Sequence, residues 1–177
     1  MEEARIIQLV RAGNKDAFAQ IVERYQAPIF RYLYRLTGDF EMAQDLAQDT
    51  FLQAYKSILR TNTELSLKAW LYRIATNNVL RQQRRQRFLR FFPFRDHGRR
   101  RRTPADREED LTERLAIQEA LLEVPERERA CLVLHFVEGL KYREIAEAMG
   151  ISEEAVRKRV ARGKEMFRRL YAGGNLR

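Results

Sequence analysis

Apolar residues recur at three- and four-residue steps along almost the whole chain, and two-residue alternation is nearly absent. That rhythm predicts helices and no sheet, because a helix returns a face every 3.6 residues and a strand every second one. Phe18, Ile21, Val22, Tyr25, Ile29, Leu33 and Leu36 carry the first strong segment, residues 16 to about 37. Pro28 lies inside it, yet the rhythm continues beyond, so a kink is expected rather than a break. Gly38 is placed to end that helix and Asp39 to cap the next, which runs to about residue 58. After a polar loop at 60–66, a third helix over residues 67–86 aligns Leu67, Leu71, Ile74, Ala75 and Asn78 on one face.

The rhythm lapses across 88–110, where Pro93, Gly98, Pro104 and a run of four arginines interrupt it. This stretch reads as a linker; its Phe88, Phe91, Phe92 and Phe94 either dock as a patch or complete the preceding core. Helical spacing returns over 111–123, 125–137, 140–149 and 152–171. The expected architecture is all-α: two small helical domains, residues 1–90 and 111–177, joined by a flexible linker at 91–110.

Composition narrows the function. A chain of 177 residues that is 45% apolar and 33% charged is neither disordered nor membrane-embedded, and no apolar run approaches a membrane span. The opening "MEEARIIQLV" is acidic where a signal peptide needs a basic start, so a cytoplasmic location is expected. A single cysteine, Cys131, excludes a disulfide framework or a cysteine-cluster metal site and reads as a packed core thiol. The two histidines, His97 and His135, lie near no acidic cluster, so no metal, cofactor or catalysis is expected.

The net charge of +9 is unevenly spread. Residues 56–102 hold 14 basic and 2 acidic groups, and 156–177 hold 8 and 1, whereas 103–155 hold 6 and 14. Two basic blocks separated by acidic or neutral ones suggest two contact surfaces for a polyanion.

The second block contains "LKYREIAEAMGISEEAVRKRVARGK", which fits a helix-turn-helix. Ile145 and Met149 would face inward, Ala146 would sit where two helices cross, and Gly150 would supply the turn. Ser152 is a suitable N-cap for the second helix, with Glu153 and Glu154 at its positive end. Val156, Val160, Gly163, Phe167 and Leu170 form one stripe, and the opposite face is basic. In a major groove, Arg157, Lys158, Ala161 and Arg162 could reach base edges, while Tyr142 and Arg143 would sit near phosphates.

The first domain carries two further ridges. In "FEMAQDLAQDTFLQAY", Ala43, Ala47, Phe51, Ala54 and, just beyond it, Ile58 make a core stripe, while Asp45, Gln48, Asp49 and Leu52 make a second ridge suited to docking a basic helical partner. On the next helix Arg73, Asn77, Arg81 and Arg84 form an outward basic ridge near Trp70 and Tyr72. Cations, amides and aromatics together suit an unstacked single strand, although both aromatics, Trp70 above all, could instead be core.

These three blocks stand in an order that resembles bacterial sigma factors of the extracytoplasmic-function type, over nearly the whole chain except the linker. The resemblance rests on "AFAQIVERYQAPIFRYLYRLTGDFEMAQDLAQDTFLQAY", "KAWLYRIATNNVLRQQRR" and "VPERERACLVLHFVEGLKYREIAEAMGISEEAVRKRVARGK". It implies a first domain that binds the β′ clamp helices of RNA polymerase and melts the −10 element, and a second that reads the −35 duplex and touches the β flap. Carried over, it places Asp45, Gln48, Asp49 and Leu52 on the clamp. It places Arg73, Asn77, Asn78 and Arg81 on −10 DNA, with Arg84 on the same ridge by spacing, beside a base-capturing loop at about 59–66. It assigns Arg157, Lys158 and Arg162 to the −35 element, where the helix faces also set Tyr142, Arg143 and Ala161.

The family's linker is often acidic, whereas "FRDHGRRRRTP" is basic, and the tail "AGGNLR" is too short for a sensory domain. An anti-sigma factor is a further partner the resemblance implies. The rival readings are a stand-alone helix-turn-helix regulator and a carboxylate-dependent nuclease or recombinase; the acidic ridge argues against the first and the missing ligand cluster against the second.

Overall fold

The computed structural model of the chain describes residues 2–58, 66–90 and 108–174. Among these there is no strand. The first half comprises α1 (Glu2–Arg11), α2 (Lys15–Thr37), α3 (Phe40–Ile58) and α4 (Leu67–Arg90). The second comprises α5 (Glu108–Glu123), α6 (Glu126–Leu132), a π-helical turn (Val133–Val137), α7 (Tyr142–Met149) and α8 (Glu153–Gly174).

Helix α2 runs unbroken through Pro28 and ends where the sequence indicates. Gly38 takes φ 67°, and its N–H donates to the Tyr34 carbonyl at 2.8 Å. Asp39 then accepts from the Met42 N–H at 2.9 Å and starts α3. Helix α1 was not anticipated: among its described side chains only Ile6 and Val10 are buried, too few to establish a rhythm. Helix α4 continues to Arg90 and α5 starts at Glu108, so both reach further into the expected linker than its apolar pattern suggests. Arginine and glutamine favour the helix, and no breaker precedes Pro93. The rest of the linker, with Phe91, Phe92, Phe94 and the arginine run, lies outside the described residues.

The first core is built around Ile29, Tyr32, Leu33, Leu71 and Tyr72, all fully buried. Burying each such aliphatic side chain contributes about 1.5–3 kcal/mol. Tyr32 and Tyr72 meet edge-on at 5.1 Å, and the Tyr32 hydroxyl shares a 2.7 Å hydrogen bond with Thr76. Burial pushes both phenols well above their ordinary range. Trp70 and Tyr72 are therefore core residues, and the alternative of exposed stacking platforms falls.

In the second half α8 crosses α6 at Gly163, where an added Cβ would meet Leu132 side-chain atoms at 3.0 Å. Cys131 is fully buried beside Met149, and burial pushes its thiol up to about 12. The α6 helix gives way at Val133 to a wider turn that leaves Phe136 and Val137 exposed. The two halves do not stand apart: α7 packs along α4, and α2 touches α5 and α6, so that the buried residues form one continuous cluster. No pattern along the chain announces this closed arrangement.

Candidate partner and nucleic-acid interfaces

Helix α3 separates two jobs by face. Ala43, Leu46, Thr50, Phe51, Ala54 and Ile58 are buried, the Thr50 hydroxyl donating to the Leu46 carbonyl at 2.7 Å. Ala47, expected in that stripe, is only half-buried. Asp45, Gln48, Asp49 and Leu52 lie together on the exposed side, with Leu52 51% accessible. Among the described residues neither Asp45 nor Asp49 has an ion-pair partner. Unpaired carboxylates beside an exposed leucine leave both charge and apolar surface for another molecule.

Beside this ridge lies a surface that the periodicity of α3 alone does not predict. Gln48 and Leu52 form one edge of a groove of about 610 Å³ between α2 and α3, floored by Phe18, Val22, Phe30 and Tyr55. Phe18 and Tyr55 pack edge-on at 5.0 Å, and Phe30 packs against the exposed Phe40 at 5.1 Å. The excess of aromatics at positions 30, 40 and 55, beyond what one core stripe needs, was the available signal. A helix carrying both cations and apolar side chains is complementary to such a ridge and groove.

On α4, Arg73, Asn77, Arg81 and Arg84 are exposed in a line. Asn78 does not join them. It is 3% accessible, accepts from Arg81 Nη2 at 2.8 Å, and turns its amide nitrogen toward the Thr50 hydroxyl at 3.4 Å. Its place on the apolar face of α4 sends it inward, and hydrogen bonding to Thr50 and Arg81 offsets the cost of burying the amide. Asn78 is thus corrected from a DNA-facing residue to a buried support for Arg81. The neighbouring loop at 59–65 lies outside the described residues.

The helix-turn-helix forms as expected. Gly150 takes φ 65°, the Ile151 N–H donates to the Ala146 carbonyl at 3.0 Å, and Ser152 caps α8 through the Ala155 N–H at 3.2 Å. Val156 and Val160 pack inward, while Arg157, Lys158, Ala161 and Arg162 are exposed. Leu170, expected in the inward stripe, is 38% accessible, whereas the next residue, Tyr171, is half-buried and donates to Glu113 on α5 at 3.3 Å. Lys158 pairs with Glu154 at 2.7 Å, an exposed pair that a phosphate or base could displace. Arg143 is exposed and paired with Glu147 at 3.1 Å. Tyr142 is half-buried, its ring 4.6 Å from that of His135.

Among the described residues no group of three His, Cys, Asp or Glu side chains could hold a metal, and no helix is long and apolar enough to cross a membrane.

Comparison with known proteins matches two stretches of the chain. The sigma-70 region 2 family matches residues 21–88, and the sigma-70 region 4 family matches residues 114–167. The ECF RNA polymerase sigma factor SigW of Bacillus subtilis is 31% identical over 174 residues, covering 92% of this chain and 93% of that protein. SigM of Mycobacterium tuberculosis, another ECF sigma factor, is 30% identical over 169 residues, covering 95% and 84%. Two solved structures share the fold. CnrH, solved with the cytosolic domain of CnrY, superposes with a TM-score of 0.74 at 22% identity, over 98% of this chain and 99% of that one. The sigma factor RpoE of Bartonella quintana, solved with the anti-sigma factor NepR, gives a TM-score of 0.69 at 20% identity, over 86% and 95%. The alternative of a stand-alone helix-turn-helix regulator is not favoured by these matches.

Proposed function

We propose a role for each exposed face from one premise: the chain belongs to the extracytoplasmic-function RNA polymerase sigma factors, and directs promoter-specific transcription initiation with RNA polymerase core. In this reading residues 1–90 hold the core and the −10 element, 91–110 connect, and 111–177 read the −35 element. As a specificity factor the chain contributes binding and positioning, and bond-making stays with the polymerase.

Asp45, Gln48, Asp49 and Leu52, with the aromatic groove beside them, dock the clamp helices of the β′ subunit. The exposure of Asp45 and Asp49 beside the exposed Leu52 and the aromatic groove carries this assignment, since charge and apolar surface lie together there as a cationic, amphipathic partner helix requires. Arg73, Asn77, Arg81 and Arg84 track the melted −10 strand; the arginines hold phosphates, and Asn77 offers its amide to a base edge. Asn78 contributes by holding Arg81. On α8, Arg157, Lys158 and Arg162 take the −35 major groove, Ala161 allows close approach, and Tyr142 and Arg143 steady the backbone. An anti-sigma factor that covers the ridge and groove is the regulator we propose, of the kind present in the structure of the Bartonella RpoE.

Reversing one charge tests the docking assignment. Asp49→Arg is expected to abolish binding to polymerase core while circular dichroism stays unchanged, because the side chain is exposed and makes no ion pair in the fold. Undiminished core affinity would remove α3 from the clamp interface.

A further inference from the structure

Two polar side chains are buried where α3 packs on α4: Thr50, with no accessible surface, and Asn78, with almost none. Burying an amide costs free energy unless its hydrogen bonds are made, and here one of them is made to an exposed cation, Arg81.

The direction of each bond follows from the chemistry at the two ends. The Thr50 hydroxyl gives its proton to the Leu46 carbonyl at 2.7 Å. Its oxygen can then only accept, and Asn78 Nδ2 approaches it at 3.4 Å. At the other end Arg81 is a donor only, and its Nη2 meets Asn78 Oδ1 at 2.8 Å. Both ends therefore demand the same amide orientation, nitrogen toward α3 and oxygen toward Arg81. A flipped amide would set donor against donor at Arg81 and acceptor against acceptor at Thr50.

Arg81 stands exposed in line with Arg73, Asn77 and Arg84. A long cationic side chain that samples many rotamers loses them when it takes a phosphate. The bond to Asn78 removes part of that freedom as the chain folds, and it occupies only one arm of the guanidinium fork.

We infer that Thr50 and Asn78 are positioning residues: the buried amide, oriented by the threonine, holds the Arg81 guanidinium ready for a phosphate of the melted strand. Neither touches DNA, and both act through Arg81. The inference rests on the reading of α4 as the −10 surface and adds two residues that set how tightly that surface binds.

The test uses the full chain assembled with RNA polymerase core, and a fluorescent single-stranded DNA copied from the −10 segment of a template that this holoenzyme transcribes. Thr50→Val keeps the side-chain shape and removes the acceptor; Asn78→Leu keeps the branched shape and removes the tether. Each is expected to weaken strand binding roughly three- to tenfold, the smaller loss coming from Thr50→Val, with helical content and core affinity unchanged. In an Arg81→Ala background the same substitutions should cost nothing further, because the group they act through is gone. Arg81→Ala should also lower the salt slope of strand binding by about 0.7, one phosphate contact, whereas Asn78→Leu should keep the slope, since an untethered arginine still reaches the phosphate. Should Asn78→Leu disturb the fold, Thr50→Val carries the comparison alone. Strand affinity indifferent to these substitutions, or an equal loss with and without Arg81, would overturn the positioning role. If wild-type chain and core make no promoter-specific transcript, the sigma-factor reading falls as well; normal transcription with indifferent strand affinity removes only this inference.

Discussion

At Arg162 the distinction between holding DNA and reading it becomes measurable. Its side chain is exposed on the face of α8 opposite Val156 and Val160, and no residue of the described chain pairs with it. Two donors in a fixed fork match the O6 and N7 of a guanine, and such a contact discriminates by about 1–3 kcal/mol. Arg162→Ala is therefore expected to weaken binding to a cognate −35 duplex by that amount and to spare unrelated duplexes. A uniform loss across sequences, read by competition binding, would make Arg162 a phosphate contact. Asn78 teaches the converse. It is as polar as its neighbour Asn77, yet the one-residue step moves it under the ridge, where it orients Arg81 and meets Thr50. Side-chain type alone could not separate the two, because burial of an amide depends on a partner 28 residues away.

Elements were more legible than the contacts between them. Gly38, Asp39, Gly150 and Ser152 mark helix ends through local hydrogen bonds, so local sequence sufficed to place them. The Asp45–Leu52 and Arg73–Arg84 ridges were readable because solvent-facing polar periodicity is as regular as the apolar kind. The groove between α2 and α3 was not, since its walls come from two helices and exist only once they pack. Nor was the π-helical turn; no sequence feature accounts for it. Helix crossing gives a sharper case at Gly163. An alanine there would gain about 1 kcal/mol of helix propensity but press a Cβ to 3.0 Å from Leu132, so Gly163→Ala should be near neutral. Gly163→Val should cost about 1–3 kcal/mol by overpacking, seen as a lower urea midpoint. Equal stability of the two variants would mean that α8 does not approach α6 this closely.

For the whole molecule, charge and topology act together. The basic blocks at 56–102 and 156–177 supply phosphate contacts from separate halves, so promoter affinity should fall steeply with salt. The closed packing of those halves could not be read from sequence. It depends on Tyr72, Lys68 and Gln118 meeting residues about 66 to 84 positions away, with no local pattern to announce it. As a sigma factor the chain must deliver specificity to polymerase rather than act alone on DNA. The most direct measurement mixes the chain with sigma-free RNA polymerase core and a promoter library and sequences the transcripts. Core-dependent transcripts are expected, from templates that share one −10 and one −35 element at fixed spacing. No such transcripts, with tight binding of the chain alone to paired duplex half-sites, would contradict the sigma-factor reading.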